Sequence, residues 1–212
     1  MPQIKVCGVT DATFARDAAE MGVDYIGLIF VESSPRRVSL EQAKHIANVV
    51  GRVVSNPPGG ALETTRPATP RFVGVFRDHA ADEILAIAAA VPLAVVQLHG
   101  PYDETTVQQI RDRGYETWLL DAPPGNASDA TLLDGRSGGQ CGGTGQLADW
   151  SRIAKLKRTG RRVVLAGGIS AKNISAAIAT GADVLDINSS IETSPGKKSP
   201  SLLAELLNAC RT

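Results

Sequence analysis

Aromatic side chains make up only 4% of the 212 residues, and neither sign of charge is in excess, with 22 Lys and Arg against 22 Asp and Glu. A nucleic-acid surface is built on a basic excess and stacking rings, so nothing points to a nucleic-acid partner. No apolar run is long enough to span a bilayer. Met1-Pro2-Gln3 leads straight into a strand pattern without a basic and then apolar leader, so a cytoplasmic chain with no membrane partner is expected. The three cysteines, Cys7, Cys141 and Cys210, are far apart and outside any Cys-x-x-Cys spacing. That argues against both a disulfide framework and a zinc site. No Gly-x-Gly-x-x-Gly follows the first strand pattern, which weakens a dinucleotide-binding reading.

What the chain has is a hydrophobic content of 43% and a regular alternation of strand-like and helix-like stretches. Strand patterns fall at 4–7, 25–30, 72–76, 93–98, 116–120, 131–133, 162–166 and 184–187. Residues 25–30 are apolar at consecutive positions, as expected of a strand covered on both faces in a parallel sheet. Helix signals lie between the strands. Thr10 precedes the first helix, which Gly22 would end. Ser39 with Gln42 has capping-box spacing for a helix reaching about Val50. Asp103 and Glu104 suit another helix N-terminus and Gly114 its end; Ser170 would cap a further helix, and Pro200 follows Ser199 at the start of the last. A further helix is expected from about Asp149. Residues 122–129 are too short and too rich in Pro, Gly and Asn for a helix, and 56–70 read as a surface excursion.

Eight such units predict an α/β fold: a single (β/α)₈ TIM barrel over residues 1–212, with the helix after strand five shortened or replaced by a loop. An open doubly wound sheet is the alternative. In a barrel every strand C-terminus meets at one mouth. There stand Cys7, Arg36, Gln97, His99, Asp134, a glycine-rich run to Gly145, Gly167-Gly168 and Asn188-Ser189-Ser190. Alone, Cys7 reads as a small buried apolar residue and Arg36 as a solvated surface charge. Gly143, Gly145, Gly167 and Gly168, with Ser189 and Ser190, suit a phosphate, because close backbone approach lets several N–H groups converge on its oxygens.

In chain order, Ile4-Lys5-Val6-Cys7-Gly8-Val9-Thr10, Gly27-Leu28-Ile29-Phe30 with Ser34-Pro35-Arg36, Val73-Gly74-Val75-Phe76, and Val96-Gln97-Leu98-His99-Gly100 form one set of motifs. Leu132-Leu133-Asp134 before Gly142-Gly143-Thr144-Gly145, Leu165-Ala166-Gly167-Gly168, and Asp186 through Glu192 before Pro195-Gly196-Lys197-Lys198 complete it. Together these resemble the phosphoribosylanthranilate isomerase family over nearly the whole chain. The resemblance implies isomerisation of N-(5-phosphoribosyl)anthranilate, a phosphosugar, to the deoxyribulose phosphate in tryptophan biosynthesis, with no metal or cofactor. By the same resemblance Cys7 is the general base and Asp134 the general acid. Arg36 meets the anthranilate carboxylate, Gln97 and His99 line the pocket, and Asp186 is a polar group at the mouth. A satisfied core histidine is the competing reading of His99. A thiol serves as a base only when its thiolate is stabilised locally, and Lys5 is near in sequence without settling how.

Asp121 repeats the Leu-Leu-Asp pattern of Asp134 one strand earlier, but precedes a Pro-Pro-Gly turn and reads as a loop-initiating residue. The 56–70 stretch is longer than usual for the family, Cys141 falls within the glycine-rich run, and Asn188, Ser190 and Ser199 differ from the common residues. Another phosphosugar enzyme on the same barrel, or a non-catalytic phosphosugar-binding module, is the alternative function. Barrel exteriors pair through loops that leave no sequence mark, so a monomer and a homodimer both stay open.

Overall fold

The computed structural model describes residues 1–55, 69–135 and 150–211. Strands β1 (Gln3–Cys7), β2 (Tyr25–Ile29), β3 (Arg71–Phe76), β4 (Leu93–Leu98), β5 (Glu116–Leu120), β6 (Ala130–Asp134), β7 (Arg162–Ala166) and β8 (Val184–Ile187) pair in parallel in that order. β8 returns to β1 and closes the barrel, with Lys5 opposite Asp186 and Val6 opposite Ile187. Helices α1 (Ala12–Glu20), α2 (Leu40–Ser55), α3 (Ala81–Ala90), α4 (Glu104–Asp112), α5 (Ser151–Arg158), α6 (Ile174–Ala179) and α7 (Pro200–Ala209) lie between the strands. A small hairpin, β9 (Glu192–Ser194) with β10 (Lys197–Lys198), stands between β8 and α7.

Strand alternation divides the core into two layers. Outward side chains such as Ile26, Leu28, Val96, Leu98 and Leu165 pack against the helices through Phe14, Ile46, Ile84, Ile110 and Leu203. Inward ones, Tyr25, Val73, Val95, Trp118, Leu132, Val164 and Val184, fill the barrel. Its lower end is closed by a polar network. Arg162 donates to Glu116 at 2.7 Å, Gln3 at 2.7 Å and the Tyr25 hydroxyl at 2.8 Å, while Arg71 and Trp118 also donate to Glu116. Cys7, Ile29 and Val75 lie at the opposite, upper end.

The β5–β6 connection holds no helix, as the Pro- and Gly-rich 122–129 stretch predicts. Polar contacts tie it down instead. The Asp129 carboxylate accepts from the Thr117 N–H at 2.8 Å and from Arg111 of α4 at 3.0 Å, and the Thr131 hydroxyl accepts from the Ala122 N–H at 3.0 Å. Thr117 and Thr131 are wholly buried beneath the connection.

Four strands have bounds one residue away from those expected, and three helix boundaries shift. The first helix is capped by Asp11, whose carboxylate accepts from the Phe14 N–H at 2.8 Å, while the Thr10 hydroxyl donates to the Gly196 carbonyl. The helix after β7 begins at Ile174, because Ser170 to Asn173 form a turn in which Asn173 Oδ1 accepts from the Ser170 N–H. α2 runs on to Ser55, past the expected end near Val50. The Ser39–Gln42 capping box forms in both directions, and Ser199 caps α7 with Pro200 at its first position. Of the 56–70 excursion, residues 56–68 lie outside the described residues, as does Asp149. Among the described residues no helix is long and apolar enough to cross a membrane.

Candidate active site

Ten of the residues singled out in the sequence line one cavity at the upper end of the barrel: Cys7, Arg36, Gln97, His99, Asp134, Gly167, Gly168, Asp186, Asn188 and Ser189. Each stands at or just beyond the C-terminal end of a strand, which is why a closed parallel barrel gathers residues up to 182 positions apart at one mouth. Ser190 is not among the lining residues; it sits in the 3-10 turn Ser189–Ile191. Gly143, Gly145 and Cys141 lie outside the described residues. Asp121 is off the main cavity and ion-paired with Arg152 at 2.9 Å, in keeping with a loop role.

Cys7 is buried, 4% exposed, on the inner face of β1. Burial pushes its thiol up, and the ammonium of Lys5 opposes that rise. Lys5 itself is fully buried, two residues earlier on the same face, and its Nζ donates to Asp186 Oδ2 at 2.7 Å. Burial pulls the Lys5 ammonium down, but Asp186 and Cys7 together carry it above its ordinary value. The Asp186 carboxyl is raised by burial against the pull of Lys5. A buried lysine must be paired or lose its proton, and this one is paired.

Asp134 ends β6 beside His99, whose Nε2 lies 3.8 Å from Asp134 Oδ2, beyond hydrogen-bond distance. Burial holds the His99 imidazole below its usual range, with Asp134 pulling the other way. Gly167 follows β7 with φ of +89°, and a Cβ there would lie 2.5 Å from the Gly135 nitrogen and 2.6 Å from Asp134 Oδ1. Only glycine lets that turn press against the carboxylate. Two buried acceptors of the cavity lining, Gln97 Oε1 and Asp186 Oδ1, have no hydrogen-bond partner among the described residues.

Arg36 reaches the cavity from the turn after β2 and is held from behind. Its Nε and Nη2 donate to the two oxygens of Glu192 at 2.8 and 2.6 Å. Lys198 of β10 donates to the same carboxylate at 2.9 Å and to the Asn188 carbonyl and side chain. Although buried, Glu192 is pulled down to about 2 by these two cations. One edge of the guanidinium is thereby occupied, and Nη1, which makes no hydrogen bond among the described residues, is left for a planar anion. Sequence reasoning passed over Lys5 as a site residue, and over Glu192 and Lys198. The usable signal for Lys5 was parity, since a strand alternating Ile4-Lys5-Val6-Cys7 places lysine and thiol on one face. Among the described residues no group of three or more His, Cys, Asp or Glu side chains is arranged to hold a metal ion.

Comparison with known proteins bears on the same arrangement. Residues 58–209 match the family model described as N-(5'phosphoribosyl)anthranilate (PRA) isomerase. The chain is 34% identical over 223 residues to an N-(5'-phosphoribosyl)anthranilate isomerase of Rubrobacter xylanophilus, covering 100% of both. It is 35% identical to the tryptophan biosynthesis protein TrpCF of Vibrio parahaemolyticus, where it accounts for 98% of this chain but spans only 40% of that protein. Among solved structures it superposes on phosphoribosyl anthranilate isomerase from Thermus thermophilus with a TM-score of 0.80 at 28% identity, over 99% of this chain and 98% of that one. A phosphoribosyl anthranilate isomerase in complex with reduced 1-(o-carboxyphenylamino)-1-deoxyribulose 5-phosphate matches with a TM-score of 0.77 at 26% identity, over 100% and 99% of the two chains. With its full length aligned to a relative and the same closed barrel shared with solved members, the chain belongs to the N-(5'-phosphoribosyl)anthranilate isomerase family.

Proposed function

We propose that the chain, acting as one domain over residues 1–212, converts N-(5-phosphoribosyl)anthranilate to 1-(2-carboxyphenylamino)-1-deoxyribulose 5-phosphate in tryptophan biosynthesis. The observation that carries this reading is the convergence of a thiol and a carboxylate, Cys7 and Asp134, on one cavity. An Amadori rearrangement needs one acid and one base around the sugar. Asp134 gives a proton to the furanose ring oxygen; the C1′–O bond breaks as the anilino nitrogen's lone pair forms a Schiff base. Cys7, as thiolate, takes the proton from C2′, and those electrons make the C1′=C2′ enolamine while the nitrogen recovers its pair. Protonation at C1′ and loss of the C2′ hydroxyl proton then give the ketose.

The remaining groups bind and orient. The outer end of the Arg36 fork suits the anthranilate carboxylate, with Glu192 fixing its plane. Gln97 Oε1 and Asp186 Oδ1 suit sugar hydroxyls, which bring donors to both acceptors. Gly167, Gly168 and Ser189 stand where barrel enzymes hold phosphate, joined in this reading by Gly143, Gly145 and Ser190. A ligand of this class occupies one of the related structures, a complex with the reduced product analogue. The reading includes a cytoplasmic location and work as a monomer or homodimer.

The test is turnover of freshly generated phosphoribosylanthranilate, followed by loss of its fluorescence. Wild type is expected to convert it, Cys7→Ser and Asp134→Asn to lose at least about a thousandfold, and Asp121→Asn to stay near wild type. A wild type that binds the reduced analogue without converting substrate leaves a binding module or a different amine substrate as the function.

A further inference from the structure

We propose that Lys5 is a positioning residue for the base: its buried ammonium, paired with the Asp186 carboxylate beside the Cys7 sulfur, stabilises the thiolate, and Asp186 limits how much of that charge Cys7 receives. This rests on the reading of Cys7 as the proton acceptor.

The geometry is specific. β1 places Lys5 and Cys7 on its inner face, with the lysine fully buried and one direction of its ammonium committed to Asp186 Oδ2 at 2.7 Å. Gly27 of β2 stands opposite Cys7 in the sheet register. A Cβ on Gly27 would lie 3.0 Å from both Cys7 Cα and Sγ, and 3.1 Å from Lys5 Cε. The sulfur and the tip of the lysine stem therefore converge on one spot that the glycine leaves open. The two side chains are neighbours in the barrel interior, and the positive charge of the lysine acts on the thiol across that short gap. Core packing alone gives no reason for the amine, since an apolar side chain of similar length would fill the barrel without desolvating a charge.

Other charged groups act on the thiol more weakly. Lys198 faces Cys7 from the hairpin and Arg36 from the turn after β2, both as cations. Asp186 faces it from β8 as an anion, and is itself faced by Asp134 and His99. Lys5 exerts the largest downward pull on the thiol, and Asp186 pushes it up. The two members of one ion pair therefore act on Cys7 with opposite signs.

The experiment is the pH dependence of Cys7 alkylation by iodoacetamide without substrate, read by mass spectrometry on the peptide that carries Cys7. Wild type, Lys5→Met and Asp186→Asn are compared, with folding checked by circular dichroism. Lys5→Met is expected to move the alkylation midpoint up by at least about one pH unit, which slows modification near neutrality about tenfold. Asp186→Asn is expected to move the midpoint down and to speed modification. The limb of the turnover profile that reports Cys7 ionisation should move in the same directions. An unchanged midpoint in Lys5→Met, or a shift of the same sign in both variants, overturns the proposal. Should Lys5→Met fail to fold, Asp186→Asn decides: a lowered midpoint supports the proposal, an unchanged or raised one overturns it. Opposed shifts in a wild-type background that turns over no phosphoribosylanthranilate refute the isomerase reading and leave the Lys5 role standing.

Discussion

Replacing Glu192 by glutamine should be the most informative change outside the proposed acid–base pair. The carboxylate holds Arg36 with two hydrogen bonds and Lys198 with a third, and its side chain and that of Lys198 are only 4% and 1% exposed. Its acid constant falls from 4.5 to about 2 on folding. A shift of that size corresponds to about 3 kcal/mol favouring the folded state. Because the folded value lies below the unfolded one, this stability is fully present above pH 4.5 and is lost as pH falls toward 2. About 2 kcal/mol of it is gone by pH 3. Urea unfolding of wild type and Glu192→Gln should therefore differ by about 3 kcal/mol at pH 7, with Tm lower by about 6–12 °C in the variant. The gap should narrow to about 1 kcal/mol at pH 3. Arg36 loses its backing in the same variant, so KM for the carboxylate-bearing substrate should rise at least about tenfold while kcat changes less. A stability gap of the same size at both pH values would refute the electrostatic account. An unchanged KM would refute the coupling to Arg36.

Gly167→Ala forces a Cβ against Asp134 at a positive φ, and turnover should fall about a hundredfold in a protein whose circular dichroism is unchanged. Glu116→Gln leaves Arg71 and Arg162 short of their shared anion at the far end of the barrel; unfolding in urea should show a loss of about 2–3 kcal/mol, with activity per folded molecule unaltered. Asp11→Ala removes the cap of α1 and should cost about 1 kcal/mol, seen as a Tm lower by about 2–4 °C.

The barrel was legible because its signals are local. Four strands, Leu93–Leu98, Glu116–Leu120, Arg162–Ala166 and Val184–Ile187, have the ends that the apolar runs mark, and the missing helix after β5 follows from its Pro and Gly content. Boundaries slipped where two residues compete for one role. Thr10 and Asp11 both suit an N-cap, and the choice is made by a partner 186 positions away, the Gly196 carbonyl that takes the Thr10 hydroxyl. The mouth residues were legible as a set because strand ends locate them. Their supports were not. Lys5 with Asp186 and Arg36 with Glu192 are pairs 181 and 156 positions apart, and neither leaves a periodicity or spacing that a single sequence displays. Asp186 reads from the sequence as a mouth residue that meets ligand, whereas one of its oxygens is already engaged by the lysine below.

The seam between β8 and β1 has a consequence for how the enzyme comes into being during synthesis. Cys7 and Lys5 leave the ribosome long before Asp186, Glu192 and Lys198, which stand more than 170 positions later. Until β8 emerges, β1 and β7 are open parallel edges, and the early lysine has no buried counter-ion to fold around. The barrel should therefore stay open until β8 is made, and acquire closure and a competent mouth together when that strand docks on β1.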